Sequence, residues 1–259
     1  MGEWVNDMNT RRLLLIVLLV ASFAASAFAQ RGGNFRRESY SMNVPYDGKF
    51  VFIRMSYGNY GGWGRQGAPW AHDYPVGEQH FLKILTSISN VSAHVDQTSV
   101  MSWDDADLFK FPVAYMVEPG FWQMSEAEVD GLRNYLTKGG FLIVDDFPGR
   151  HWGQFEVQMA RAFPQAQWIE LTPEHQIFHT FFEINSFDTM PPAYDLGGRP
   201  MFLAIFEDND PNKRMLAIAN YQNDLSEYWE FSETGYYITE HSNEAYKYGV
   251  NQFIYGLTR

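Results

Sequence analysis

Apolar runs separated by helix-patterned segments over some 200 residues predict an open α/β sheet, mostly parallel, with helices on both faces. Three observations carry this. Short strand-like runs alternate with stretches whose apolar residues recur at helical spacing. Residues 141–144 (FLIV) are apolar throughout, the pattern of a parallel strand buried on both sides. And 46% hydrophobic with 17% aromatic residues is enough apolar surface for a core, which excludes a disordered chain.

The elements can be justified in order. Residues 50–55 (FVFIRM) form a strand that runs into the glycine-rich SYGNYGGWGRQG. Residues 76–88 carry Phe81, Leu82, Leu85 and Ile88 on one helical face. Residues 113–117 (VAYMV) are a short strand closing on Glu118-Pro119-Gly120. Ser125 and Glu128 make a capping box, Val129, Leu132 and Leu136 the buried stripe, and Gly139-Gly140 the stop of the next helix. The 141–144 strand leads into Asp145-Asp146. A helix (154–162), strands at 167–171, 201–206 and 215–220, and a terminal helix (243–257) with Tyr246, Val250, Phe253, Ile254 and Leu257 inward complete the domain. The strand-poor stretch 172–200 reads as an insertion or surface loop region.

The N-terminus reads as an address. Arg11 and Arg12, an apolar run from Leu13, and Ala27-Phe28-Ala29 before Gln30 have the layout of a secretory signal peptide, residues 1–29. An uncleaved anchor is the rival reading, disfavoured by the alanine- and serine-rich second half of the run. Residues 30–44 are a polar linker, and 45–259 a single domain. No second stretch of about 18 apolar residues appears, so no span is expected after signal removal. The expected location is periplasmic or extracellular.

Composition excludes several chemistries. With no cysteine there is no disulfide, thiolate zinc site or cysteine nucleophile. A net charge of −12 argues against nucleic acid as a partner. Between Glu170 and Ala245, 14 acidic residues face three basic ones, which reads chiefly as a solvated face. A calcium site around Glu207-Asp208-Asn209-Asp210 would lack the glycine and final glutamate of an EF-hand loop. Neither a phosphate loop nor a Gly-x-Ser-x-Gly elbow occurs, and no cofactor is expected.

In an open parallel sheet, ligands sit beyond the carboxyl ends of the strands. That places candidate ligand-binding residues at Tyr57, Gly58, Trp63 and Trp70, and at Asp145 and Asp146. Consecutive residues leaving a strand point opposite ways, so one aspartate of the pair faces the cleft. It either caps the following turn or acts as a ligand or acid/base group. Glu118 and His151, falling at the same edge, are its candidate catalytic partners. The glycines interleaved with aromatics suit ring stacking, or a loop folded on its own domain, which we favour. His175 and His179 lie four apart, a spacing that a helix would turn to one face, but Gln176 stands where an HExxH motif needs glutamate. A metal role for this pair is therefore not favoured.

The run Tyr135-Leu-Thr-Lys-Gly-Gly-Phe-Leu-Ile-Val-Asp-Asp146 resembles the core of the bacterial domain of unknown function 4159. Arg54-x-x-Tyr57-Gly58, Leu108-Phe109-x-Phe111-Pro112, His175-x-Ile177-Phe178-His179, Asn223-Asp224-Leu225 with Trp229, and Gly249-Val250-Asn251 agree with it. The resemblance implies a fold similar to class I glutamine amidotransferases, a flavodoxin-like variant, and no established activity. Aligning Gly139-Gly140 with the turn before the amidotransferase nucleophile puts Asp146 near the cysteine's place, where aspartate cannot do thiolate chemistry. The expected function is thus a ligand- or protein-partner-binding module at the cell envelope, on a non-catalytic scaffold. The alternative is a hydrolase of envelope carbohydrate or peptide using Asp146 with Glu118 or a histidine.

Overall fold

Strand β3 (Val113–Val117) and strand β4 (Phe141–Asp145) are buried at every residue, and alternate side chains go to opposite sides of the sheet. Val113, Tyr115, Val117, Phe141 and Ile143 enter one core layer; Ala114, Met116, Leu142 and Val144 enter the other. Both layers are apolar, so both faces need helices. The structure, a computed structural model, describes residues 43–58, 67–146, 148–190 and 199–259. Residues 1–29, which the sequence predicts to be a signal peptide, nearly all of the expected linker and Trp63 lie outside the described residues.

Among the described residues, seven strands form one mixed sheet. Besides β3 and β4 these are β1 (Ile53–Met55), β2 (Ser99–Met101), β5 (Ile169–Glu170), β6 (Met201–Phe206) and β7 (Met215–Tyr221). The spatial order is β2-β1-β3-β4-β7-β6-β5. The first five in that order are parallel, with Val113 opposite Phe141 and Ile143 opposite Ile218; β6 pairs antiparallel with both β7 and β5. The fold is an open α/β fold. In its parallel part the connection reverses direction between β1 and β3, so a crevice opens beyond their carboxyl ends.

Helices α1 (Val76–Ile88), α4 (Leu225–Glu230) and α5 (Thr239–Thr258) cover the first face, giving Phe81, Leu82, Trp229, Val250 and Phe253 to its core. Helices α2 (Glu126–Thr137) and α3 (Trp152–Ala162) cover the other with Leu132, Leu136, Phe155 and Met159. The capping box forms, with Ser125 accepting from the Glu128 amide and Glu128 from the Ser125 amide. Gly139, at φ 115°, turns the chain into β4 in a conformation that side chains disfavour. Among the described residues no helix is long and apolar enough to cross a membrane.

Candidate functional site

The β4 exit separates its two aspartates. Asp145 continues the strand alternation and is internal. Its Oδ2 accepts from Tyr115 Oη at 2.5 Å and from the Leu225 and Ser226 amides at 2.8 and 3.1 Å; its Oδ1 accepts from Asn220 at 2.9 Å. Burial lifts its pKa to about 6, against the pull of the Tyr115 and Asn220 hydrogen bonds. Asp145 thus ties β4 to the start of α4.

Asp146 does the opposite. Its φ of 50° breaks the alternation and turns its carboxylate to the strand ends, where Oδ2 lies 2.8 Å from His72 Nδ1. Glu118, at the end of β3, has φ 51°, and its amide donates to the Asp146 carbonyl at 3.0 Å. Tyr57 Oη, buried under this corner, approaches the carbonyls of Val117 (2.9 Å) and Glu118 (2.6 Å). The third acid, Asp73, has φ 61°.

His72 and Asp73 are held by an internal ion pair. Arg54 of β1 is fully buried, bonds Glu78 of α1, and also reaches the Trp70 carbonyl at 3.5 Å. Its guanidinium lies 5.2 Å from the Tyr115 ring centroid. The buried Trp70 ring packs in the core beside α2 and α3. The chain leaving it brings His72 half into solvent and Asp73 wholly inside.

The β7 exit adds two acids. Gln222, at φ 60°, precedes Asn223-Asp224, and Asp224 Oδ1 caps α4 by accepting from the Glu227 amide at 2.9 Å. Ser226 Oγ lies 2.7 Å from Asp73 Oδ2 and 3.2 Å from Asp224 Oδ1, so its single hydrogen serves one at a time.

The resulting pocket edge is short of positive charge. His72 Nδ1 lies 2.8, 3.9 and 4.0 Å from Asp146, Asp73 and Glu118. The Asp146 hydrogen bond raises its pKa to about 10 despite desolvation. Burial raises Asp73, Glu227 and, furthest, Asp224, while Glu118 is pushed to about 7 by burial and by Asp146. Asp73 Oδ1 is buried with no hydrogen bond. So are His151 Nδ1 and Glu118 Oε2, 3.4 Å apart. Gly120 lets the His151 ring approach, since a Cβ there would collide with it.

Among the described residues, three sets of side chains bring ligand atoms within 4.8 Å of one another: Asp73-Asp146-Asp224, His72-Glu118-Asp146 and His72-Asp73-Glu227. Such a set can hold a cation, or pass a proton between His72 and Asp146.

The sequence candidates fare unequally. Glu118, Asp146 and His151 meet at one edge, whereas Asp145 is consumed as a cap. Tyr57 supports the Glu118 backbone, and Gly58 is an exposed turn residue at φ 69°. The Trp70 ring is internal and offers no stacking face. His175 and His179 do not share a face, because residues 176–179 form a 3-10 turn rather than an α-helix. His175 Nδ1 accepts from the Ile177 amide, while His179 contacts Glu183 and the Pro173 carbonyl. Asp208 pairs with Lys213 in the β6–β7 turn. His72, Asp73, Asp224 and Glu227 are not among the site candidates that the sequence suggests, although Asp224 lies within a segment that carries the family resemblance. Asp224 and Glu227 were counted with the solvated acidic face, yet the first is buried and the second half-buried.

A comparison with curated proteins finds no match. Residues 51–257 match the family described as domain of unknown function DUF4159, and the chain belongs to that family.

Proposed function

We propose that the protein is an exported component of the cell envelope whose amidotransferase-like domain binds a positively charged ligand at the carboxyl ends of β1, β3, β4 and β7. The carrying observation is the charge imbalance. Asp73, Asp146 and Asp224 are buried and Glu118 and Glu227 half-buried around His72, while burial pushes down the pKa of the second imidazole, His151 beside Glu118. Arg54 is paired with Glu78 and acts on Asp73 only through space, as the exposed Arg150 does on Glu118. Buried carboxylates are costly unless paired, so a cationic ligand stabilises this arrangement. Backbone strain at Asp73, Glu118 and Asp146 points the same way, because such conformations persist where function requires them. Export is supported by the layout of residues 11–29.

The test is a melting-temperature screen of the protein against divalent metal ions, spermidine and cationic peptides. At least one should raise the transition in the wild type and not in Asp146→Asn. A screen in which no cationic probe discriminates the two sinks the reading.

One observation favours a second reading. Asp146 and His72 lie within proton-transfer reach at the strand end, with the Glu118 carboxyl 4.0 Å from the same imidazole nitrogen, a pairing a hydrolase could use. Turnover of nitrophenyl glycosides or peptide nitroanilides, lost in Asp146→Asn and Glu118→Gln, would establish it. Absence of turnover leaves the binding module.

A further inference from the structure

We propose that the cationic ligand is one hard divalent metal ion, held by Asp73, Asp146 and Asp224 with His72 closing the solvent side. This rests on the reading of the strand ends as a cation-binding site and names the class of cation.

The three aspartates come from three separate segments: the loop after β1, the β4 exit and the β7 exit. Their carboxylate oxygens converge within 4.8 Å of one another. Oxygen ligands on opposite sides of a calcium ion are about 5 Å apart and those around magnesium about 4 Å, so the set has the size of one coordination sphere. The arrangement also leaves a specific ligand position without a partner. Asp73 is fully buried, its Oδ2 is engaged by Ser226, its Oδ1 receives no hydrogen bond from a fixed donor, and the half-buried Glu230 carboxyl lies within hydrogen-bonding reach of its side chain. A structural aspartate would be expected to have both oxygens satisfied, as Asp145 does. Carboxyls in contact, such as Asp73 and Glu230, need positive charge or a shared proton between them, and a metal ion supplies that charge to Asp73 Oδ1.

The donor set decides the class of ion. Three carboxylates, with His72 sharing one ligand set with Asp73 and another with Asp146, and no thiolate in the chain, suit calcium, magnesium or manganese over soft ions. His72 presents Nδ1 inward, 2.8 Å from Asp146 and 3.9 Å from Asp73, and its half-exposed ring leaves a path from solvent. Glu118 and Glu227 stand at the rim, each sharing a ligand set with His72. Water fills the remaining positions, as is usual for such ions. The ion would replace the proton that now bridges His72 and Asp146. His151 lies behind Glu118 and is assigned no ligand role.

The experiment is calorimetric titration of the chelator-treated full-length protein with Ca2+, Mg2+, Mn2+ and Zn2+ separately, with melting curves alongside. One ion per chain is expected for at least one of the first three, with a raised melting temperature. Affinity should fall at least tenfold in Asp146→Asn and in His72→Ala. The His72 substitution removes a half-exposed ring outside the core, so its fold should survive even if the buried aspartate variants misfold. Asp208→Asn, in the distant β6–β7 turn, should bind like the wild type.

Failure of all four ions overturns the metal assignment. So does binding that His72→Ala and Asp146→Asn leave unchanged, or binding of Zn2+ alone. If metals fail while spermidine still protects the wild type and not Asp146→Asn, the cation-binding reading stands without the metal. If neither protects, both fall.

Discussion

Asp73, Glu118 and Asp146 each place a carboxylate at the strand ends by adopting a left-handed backbone conformation. Away from function, such positions favour glycine or asparagine, and each costs on the order of 1 kcal/mol or more. Glu118→Gly should therefore stabilise the protein by about 1 kcal/mol in chemical denaturation, by relieving both strain and charge repulsion. The same variant should bind the ligand more weakly, a trade of stability against function. A destabilised Glu118→Gly would mean that the conformation is comfortable and the strain argument mistaken. Tyr57 bears on the same corner. Its hydroxyl serves the Val117 and Glu118 carbonyls, so Tyr57→Phe should cost about 1–3 kcal/mol, read in the same denaturation series. At this scale the sequence identified Asp146 through the rule that sites follow strands. Applied equally to the exits of the strands at 50–55 and 215–220, that rule also reaches His72-Asp73 and Asp224. The glycine-aromatic stretch drew attention from the former and the general acidity from the latter.

At the scale of elements, the site is assembled by ties between segments distant in sequence. Asp145 joins β4 to the start of α4, and the Arg54–Glu78 pair joins β1 to α1 and steadies the loop bearing His72. Removing one partner of such a buried pair leaves an uncompensated charge. Arg54→Met should cost about 3–5 kcal/mol in urea denaturation. The double variant Arg54→Met with Glu78→Leu should recover most of that loss, since well-packed apolar groups often replace a buried pair without penalty. If the double variant is as unstable as the single, the guanidinium contacts to the Trp70 carbonyl and the Tyr115 ring matter more than the pair itself. Helices and strands were largely legible, because periodicity reports local structure: 76–88, 113–117 and 201–206 coincide with α1, β3 and β6. Helix α4 and strand β2 were not. The first is a single cap-defined turn and a half, and the second spans three residues, too short for a period to show. A buried arginine inside FVFIRM likewise carries no sign of its partner, which lies 24 residues on.

For the whole molecule, the net charge of −12 divides into two populations. Some acids are exposed and paired at the surface, as Asp208 is with Lys213. Others converge beyond the strand ends beside the β1–β3 reversal, where the topology opens a crevice. Composition alone cannot tell these populations apart, because the sheet brings together residues more than 150 positions apart, such as Asp73 and Ser226. A ligand that binds only the folded chain stabilises it according to concentration over dissociation constant, about 2.7 kcal/mol at a hundredfold excess. The melting temperature should therefore climb with added cation in the wild type and stay flat in His72→Ala at the same concentrations. A parallel rise in both would place the cation elsewhere on the acidic surface.

The central claim is that the strand-end carboxylates receive a cation, and anomalous diffraction from crystals grown with Mn2+ tests it most directly. One anomalous peak is expected, bounded by His72, Asp73, Asp146 and Asp224. Density at those four side chains with no peak among them, or a peak confined to the exposed acidic turns, would contradict it.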